Sequence, residues 1–279
     1  MASAKSLVPA ALLLTAAACG PAPPPTPSHP ALDAVSWTQL SAEREALVRG
    51  IYTSATRALD VALGEHRPAG DARPPAVVLD VDETVLDNAP FEAALLKSGA
   101  PFDPALWNRW VDAARAEPLP GAIGFLAHCR DAGVTTFFIT NRRADQEEAT
   151  RRNLERLGIP VLDEPDGLLM REEKPEWGRD KASRRAQVAR THHIVLLIGD
   201  DLGDFLPNVT DAGVDTARRR ERVAEHAQLW GHRWFVLPNP LYGSWKGALW
   251  GFARGLSEEE RRRAQFDALH GDTGAPPAE

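Results

Sequence analysis

The chain has 279 residues, 43% of them apolar and 25% charged, which is the composition of an ordinary globular protein. This length favours one domain of roughly 200 to 250 residues with small additions. The formal net charge of −7 argues against a nucleic-acid-binding groove, which needs clustered positive charge.

Residues 1–18 predict an export signal, because a short apolar segment follows Lys5 and closes on small residues. Cys19 comes next and opens a proline-rich stretch over residues 19–35. This arrangement resembles a bacterial lipoprotein signal, which implies a lipid on Cys19 and a tether to the outer membrane, facing the periplasm or the surface. Ala16 departs from the leucine usual at that position, so ordinary signal-peptidase cleavage and a soluble periplasmic protein stay open as an alternative.

A globular domain is predicted over residues 36–270, followed by a disordered tail at 271–279. The segment from Ala31 to Arg67, which overlaps the start of this domain, has a helical pattern in which apolar residues recur at three- and four-residue steps or their multiples. These residues are Trp37, Leu40, Leu47, Ile51 and Leu59. A segment rich in proline and glycine then leads to the first predicted strand.

That strand, Val77–Leu79, is an apolar run that ends in Asp80 and Asp82. Such a run predicts a strand buried on both faces. Carboxylates beside a hydrophobic core persist where a cation or a reaction needs them, and ligands of open α/β sheets bind beyond the carboxyl ends of the strands. Taken alone, an acidic turn that caps the next segment is an alternative.

The rest of the chain alternates helices with strands. Residues 89–118 predict a helical insertion that covers the strand ends as a cap. Further strands are predicted at 134–139, 167–170, 194–198 and 234–237, and helices at 120–132, 144–157 and 181–190, with a last helix opened by a capping box of Ser257 and Glu260. This alternation predicts a parallel sheet with helices on both faces.

Three of the predicted strands end in polar side chains. In chain order these are Asp80 and Asp82, Thr140 and Asn141, and Asp200 and Asp204, with Lys181 on the helix before the last pair. This order resembles the four motifs of the haloacid dehalogenase superfamily. Together with residues 239–245, it resembles most the class C acid phosphatases, bacterial lipoprotein phosphatases and 5′-nucleotidases with four signature aspartates. The resemblance implies an α/β fold with a Rossmann-like haloacid dehalogenase core, a small helical cap and an N-terminal helical segment.

The resemblance also implies a role for each of these residues. Asp80 would be the nucleophile that forms an aspartyl-phosphate, and Asp82 the general acid and base. Thr140, Asn141 and Lys181 would bind the phosphate. Asp204 would orient Lys181 or belong to the outer shell of the metal site.

A metal is expected because a carboxylate cannot approach a dianionic phosphate monoester unless positive charge lies between them. Mg²⁺ suits an oxygen-only site, and no histidine or cysteine cluster suggests zinc. By resemblance, Asp80, the backbone carbonyl of Asp82, and Asp200 would be its protein ligands.

The implied substrates are small phosphomonoesters, namely nucleoside monophosphates and aryl phosphates. Tyr242 and Trp107 are candidates to stack on a base or an aryl ring, although packing explains Tyr242 equally well. The resemblance also suggests a homodimer, which the periodicity of the chain does not show.

Two other functions are weighed against hydrolysis. The first is phosphoryl transfer to another acceptor, which Asp82 argues against because an acid/base there promotes hydrolysis of the intermediate. The second is a non-catalytic surface lipoprotein that binds nucleotides or a cofactor. The presence of Asp80, Lys181 and Asp200 favours the enzyme.

Overall fold

The computed structural model of the protein describes residues 31–65 and 71–271. The predicted export signal, Cys19, most of the predicted tether and residues 272–279 of the predicted tail lie outside the described residues. In the part of the chain that is described, no helix is both long and apolar enough to cross a membrane.

The centre of the fold is a parallel sheet of five strands. The strands of the chain are β1 (Pro75–Leu79), β2 (Leu86–Asp87), β3 (Glu117–Pro118), β4 (Thr135–Arg143), β5 (Leu168–Arg171), β6 (His193–Gly199) and β7 (Trp234–Val236). In the large sheet the order is β5-β4-β1-β6-β7, so β1 lies in the middle between β4 and β6. The carboxyl ends of these three strands therefore meet at one edge of the sheet.

Helices accompany the strands along the chain. They are α1 (Leu32–Leu40), α2 (Ala42–Gly64), α3 (Ala89–Ser98), α4 (Pro104–Asp112), α5 (Ala122–Asp131), α6 (Glu147–Arg156), α7 (Ala182–Ala189), α8 (Thr216–Glu225), α9 (Ser244–Ala248) and α10 (Glu258–Asp267). The predicted α/β fold with a parallel sheet is confirmed, as is the capping box at Ser257 that opens the last helix.

Both faces of the sheet are covered, because alternate residues of β1 enter different hydrophobic clusters. Val77 and Leu79 pack with apolar residues of α2, α5 and α6. Ala76 and Val78 pack on the other face, with Val188 of α7 and apolar residues that follow β6. This explains the uninterrupted apolar run in the sequence, since a strand covered on both faces has no polar side.

The N-terminal segment differs from the predicted single helix. Ser41 ends α1 and caps α2 by accepting a hydrogen bond from the Arg44 backbone N–H at 3.1 Å. The predicted apolar face is wrong in part, because Leu40 is 77% and Leu47 47% exposed. The face that α2 buries consists of Val48, Tyr52, Ala55, Leu59 and Ala62.

The predicted tether boundary also needs correction. Helix α1 begins at Leu32, inside the stretch assigned to the tether, and Val35 is buried. Val35 packs in a small cluster with Ala89, Ala93 and Leu241. The chain is therefore held against the insertion from its first described helix onward.

Residues 89–118 form α3, α4 and β3, and the antiparallel pairing of β2 with β3 brings the two ends of this insertion together. The loop before it is fixed from outside the sheet. The Tyr52 hydroxyl donates to the Thr84 carbonyl at 2.7 Å, and Arg44 forms an ion pair with Asp87 at 2.9 Å. The insertion thus starts from a loop directly after β1 that Tyr52 and Arg44 hold in place.

Candidate active site

An open cavity of about 840 Å³ lies at the carboxyl ends of the central strands. Its wall contains most of the residues predicted from sequence: Asp80, Asp82, Trp107, Asn141, Lys181, Asp200, Asp204 and Tyr242. Thr140 is not among the lining residues, and Cys19 lies outside the described residues. The fold therefore brings into one cavity residues that are up to 162 positions apart in the chain.

Asp80 follows β1 and is held in place by the sheet, because its backbone N–H donates to the Ile198 carbonyl of β6 at 3.0 Å. Asp80 as a whole is only 9% exposed, and its carboxylate lies 2.6 Å from the Lys181 ammonium. Burial raises the pKa of Asp80 to about 7, and the negative charges of Asp204 and Asp82 add to this although Lys181 opposes it. The environment of Asp80 therefore disfavours a negative charge that no cation neutralises.

Lys181 stands immediately before α7, rather than within the helix as predicted. Its ammonium lies between two carboxylates, 2.6 Å from Asp80 and 2.5 Å from Asp204. Burial alone would lower the pKa of Lys181, but Asp204 and Asp80 hold it above its ordinary value. A permanently charged ammonium is thus fixed beside Asp80.

Asp204 is fixed by its second oxygen, which accepts a hydrogen bond from the Asp201 backbone N–H at 2.9 Å. The same oxygen lies against the end of β6, where a Cβ on Gly199 would stand only 2.2 Å away. Glycine is therefore required at this position by the close approach of a carboxylate.

Three carboxylates can hold a cation together. One oxygen each from Asp80, Asp200 and Asp204 lie within 4.8 Å of one another. Burial and the charges of Asp204 and Asp80 raise the pKa of Asp200 well above its ordinary value, while Asn239 donates to its Oδ2 at 2.7 Å. An oxygen-only set with unfavourable mutual repulsion fits a hard divalent cation, which would offset that repulsion.

Asp82 is held by residues whose part the sequence analysis missed. The Arg142 guanidinium contacts both of its carboxylate oxygens, with Nη2 2.7 Å from Oδ1 and Nε 3.2 Å from Oδ2. Asn88 donates to Oδ1 at 2.9 Å. The position of Arg142 at the end of the neighbouring strand β4 was a usable signal, because a basic residue there faces the carboxylates after β1.

The structure places the side chains of Thr140 and Asn141, the predicted phosphate contacts, in hydrogen bonds with other residues of the protein. Thr140 is fully buried, and its hydroxyl accepts from the Arg142 backbone N–H at 3.0 Å. The Asn141 side chain donates to the Arg179 carbonyl at 3.1 Å and accepts from Arg184 at 2.8 Å. The Thr140 side chain therefore stabilises the backbone at the end of β4, and the Asn141 side chain stabilises the segment that precedes Lys181.

The two predicted aromatic contacts lie on the cavity wall. Trp107 packs edge-on against Phe91 at 5.2 Å, and the Arg142 guanidinium lies 5.5 Å from the centre of its ring. Tyr242 is half-buried beside Leu241. Its loop is attached to the end of β6, because Asp201 accepts from the Ser244 backbone N–H and hydroxyl, each at 2.6 Å.

Residues 22–245 match the acid phosphatases of haloacid dehalogenase subfamily IIIB, a span of well over half the chain. The chain belongs to this family. Acid phosphatases are phosphoric monoester hydrolases, so the predicted class of enzyme is confirmed, and small phosphate esters are the substrate class that the family implies.

Solved structures agree with this assignment. The class C acid phosphatase from Bacillus anthracis is 36% identical, with a TM-score of 0.77 over 86% of this chain and 97% of that chain. A structure of the same enzyme with tungstate bound gives the same values. The predicted resemblance to class C acid phosphatases is confirmed.

The curated relatives are more distant. The stem 28 kDa glycoprotein of Glycine max is 26% identical over 170 residues, which are 59% of this chain and 58% of the relative. A stem 31 kDa glycoprotein of the same plant is 25% identical over 134 residues, 46% of this chain and 45% of its own length. The chain therefore spans about half the length of these relatives.

Proposed function

We propose that this acid phosphatase family member is a Mg²⁺-dependent phosphomonoester hydrolase that acts through an aspartyl-phosphate on Asp80. The observation that carries the proposal is the environment of Asp80. This carboxylate lines the cavity, 2.6 Å from the Lys181 ammonium and next to the carboxylates of Asp200 and Asp204.

Asp80 and Asp200, with the backbone carbonyl of Asp82, would hold the cation. Mg²⁺, when bound, would screen the repulsion between the phosphate dianion and the attacking carboxylate. Asp204 contributes by fixing Lys181, whose ammonium neutralises charge on the phosphate oxygens.

In the first step, a carboxylate oxygen of Asp80 attacks phosphorus and the bond from phosphorus to the ester oxygen breaks. Asp82 donates a proton to the departing oxygen. In the second step, water attacks the aspartyl-phosphate while Asp82 accepts a proton. Inorganic phosphate leaves and the Asp80 carboxylate is regenerated.

We infer that the substrates are nucleoside monophosphates and aryl phosphates. A cavity of about 840 Å³ accommodates a leaving group of this size, and Trp107 and Tyr242 in its wall offer aromatic surface. Tungstate is an oxyanion, as phosphate is, and its presence in a Bacillus anthracis class C acid phosphatase supports an oxyanion site in this fold.

The test is phosphate release from 5′-nucleotides, 3′-nucleotides and p-nitrophenyl phosphate, first with Mg²⁺ and then with EDTA, between about pH 5 and 8. We expect turnover that EDTA removes and Mg²⁺ restores. Folded, Mg²⁺-treated protein that binds nucleotides without turnover would instead support a non-catalytic nucleotide-binding lipoprotein.

We also propose that the protein is exported and carries a lipid on Cys19, with a homodimer as its assembly. The support for export is the order of Lys5, the apolar segment and Cys19 in the sequence, and for the dimer it is the family resemblance alone. The anchor is tested by comparing the wild type with a Cys19→Ser variant. The wild type should be recovered with membranes and should carry the added mass of a lipid, and the variant should not. Sedimentation of the soluble domain tests the dimer.

A further inference from the structure

Both groups that hold the Asp82 carboxylate are in contact with the same helix of the insertion, α4. Asn88 reaches it through Trp110, and Arg142 reaches it through Trp107. Neither tryptophan is within the motifs that identify the family resemblance.

The first connection is a chain of two hydrogen bonds. The Trp110 indole N–H donates to Asn88 Oδ1 at 2.7 Å, and Asn88 Nδ2 donates to Asp82 Oδ1 at 2.9 Å. Since an indole nitrogen can only donate, it fixes which end of the Asn88 amide faces Asp82. Without Trp110, the amide oxygen of Asn88 loses its indole donor, which is one of the contacts that select this orientation.

Asn88 is fully buried and is also held from the other side. Glu83 accepts from the Asn88 backbone N–H at 2.8 Å and from its Nδ2 at 3.3 Å. Glu83 has a positive φ of 51°, which is uncommon for a residue other than glycine. The backbone thus takes a costly conformation at the position that holds Asn88.

The second connection runs through Arg142, whose side chain is only 1% exposed. Its Nη1 donates to the Thr150 hydroxyl at 3.1 Å, while Nε and Nη2 contact Asp82. The guanidinium lies 5.5 Å from the centre of the Trp107 ring, within the range of a cation–π contact. Trp107 therefore limits where the guanidinium can lie.

We propose that Trp110 and Trp107 of α4 are positioning residues for Asp82, so that the insertion sets the geometry of leaving-group protonation as well as covering the cavity. The inference rests on the proposed function, in which Asp82 is the general acid. It assigns Trp107 a contact with Arg142 in place of, or in addition to, a contact with substrate.

Loss of such positioning has a specific kinetic signature. A general acid contributes about 10²- to 10⁴-fold where the leaving group needs a proton, and less where it does not. Phenolate, with a conjugate-acid pKa of about 10 as in tyrosine, needs protonation more than p-nitrophenolate does. Phenyl phosphate and p-nitrophenyl phosphate share the same ring, so changes in stacking or packing affect both alike.

The experiment compares kcat/KM for these two substrates in the wild type and in Trp110→Phe, which keeps an aromatic ring but removes the N–H donor. The ratio of kcat/KM is the readout because it excludes the later hydrolysis of the aspartyl-phosphate. We expect kcat/KM for phenyl phosphate to fall at least about fivefold more than kcat/KM for p-nitrophenyl phosphate, which is a part of the full general-acid effect. In an Asp82→Asn background the same change should leave the ratio unmoved, since the acid is already absent.

Trp230→Phe is the matched control. It also removes an indole N–H, which donates to the Val223 carbonyl at 2.9 Å in the cluster on the other face of the sheet. The ratio of kcat/KM for the two substrates in this variant should equal that of the wild type. Trp107→Leu gives a second, independent test through Arg142 and serves if Trp110→Phe does not fold.

An equal loss on both substrates in Trp110→Phe, or a ratio that moves as much in Trp230→Phe, would overturn the inference and leave a structural role only. A wild type that hydrolyses neither these two aryl phosphates nor nucleoside monophosphates would refute the proposed function itself. The two failures are therefore distinguished by the wild-type rates.

Discussion

Gly199 lies so close to Asp204 that a Cβ at Gly199 would stand 2.2 Å from Asp204 Oδ2. The last residue of β6 thus leaves room for the carboxylate that fixes Lys181. Because Asp204 is part of the buried group around Asp80, a methyl group at Gly199 acts on the site directly.

We predict that Gly199→Ala loses turnover and about 1–3 kcal/mol of stability, because a methyl group would displace the Asp204 carboxylate. Gly124 in α5 is the control, since no heavy atom lies within 4 Å of a Cβ at that position. Gly124→Ala should keep activity and gain about 0.5–1 kcal/mol from helix propensity. Thermal unfolding measures the stability of the two variants, and phosphate release measures their activity. An active Gly199→Ala variant would contradict the assigned role of Asp204.

We predict that Asp204→Asn lowers kcat by about 10²- to 10³-fold, the usual cost of losing one electrostatic contact in an active site. The amide keeps the volume of the carboxylate but removes the negative charge of one of the two carboxylates that contact Lys181 among the described residues. The free energy of unfolding is measured alongside, to show that the fold is retained. A kcat within threefold of the wild type would argue that Lys181 needs no orienting group.

We predict that Asp80→Asn abolishes turnover with little loss of fold, because it removes the proposed nucleophile at constant volume. Steady-state phosphate release at saturating Mg²⁺ is the measurement. Retained activity would refute an aspartyl-phosphate on this residue.

The metal-free protein should also show a pH dependence that Asp80→Asn reduces. Burial raises the pKa of Asp80 from 3.8 to about 7, so between these values the folded state binds more protons than the unfolded state. The contribution of Asp80 to the stability of the metal-free wild type therefore falls as pH rises through this window, and Asp200 adds to the effect in the same direction. Unfolding in EDTA from pH 4 to 8 tests this. Wild type and Asp80→Asn with parallel pH profiles would contradict it.

We predict that Asn239→Ala weakens Mg²⁺ binding about 10- to 100-fold, the usual effect of losing a residue that orients a metal ligand. Asn239 donates to Asp200 Oδ2 at 2.7 Å. The Mg²⁺ concentration for half-maximal activity should rise while kcat at saturating Mg²⁺ is largely retained. A drop in kcat without a change in Mg²⁺ dependence would place Asn239 in another role.

Much of this site was predictable from the sequence because its signals are local. The apolar run of β1 followed by Asp80 and Asp82 predicts a buried strand with a ligand site at its end, and the alternation of elements predicts a parallel sheet. In such a sheet the strand ends converge, and the resemblance to class C acid phosphatases predicted Asp200 as a metal ligand together with Asp80, although 120 positions separate them.

Only the tertiary structure decided which partner each side chain meets. Arg142 holds Asp82 from 60 positions away, and Trp110 fixes Asn88 from 22 positions away. Thr140 turns inward and α2 buries Tyr52 rather than Leu47. Strand and helix periodicity reports which positions are apolar, and cannot report the neighbour that packs there or the donor that faces a given oxygen. Those depend on how distant elements lie against each other, which the assembled sheet, α2 and α4 determine.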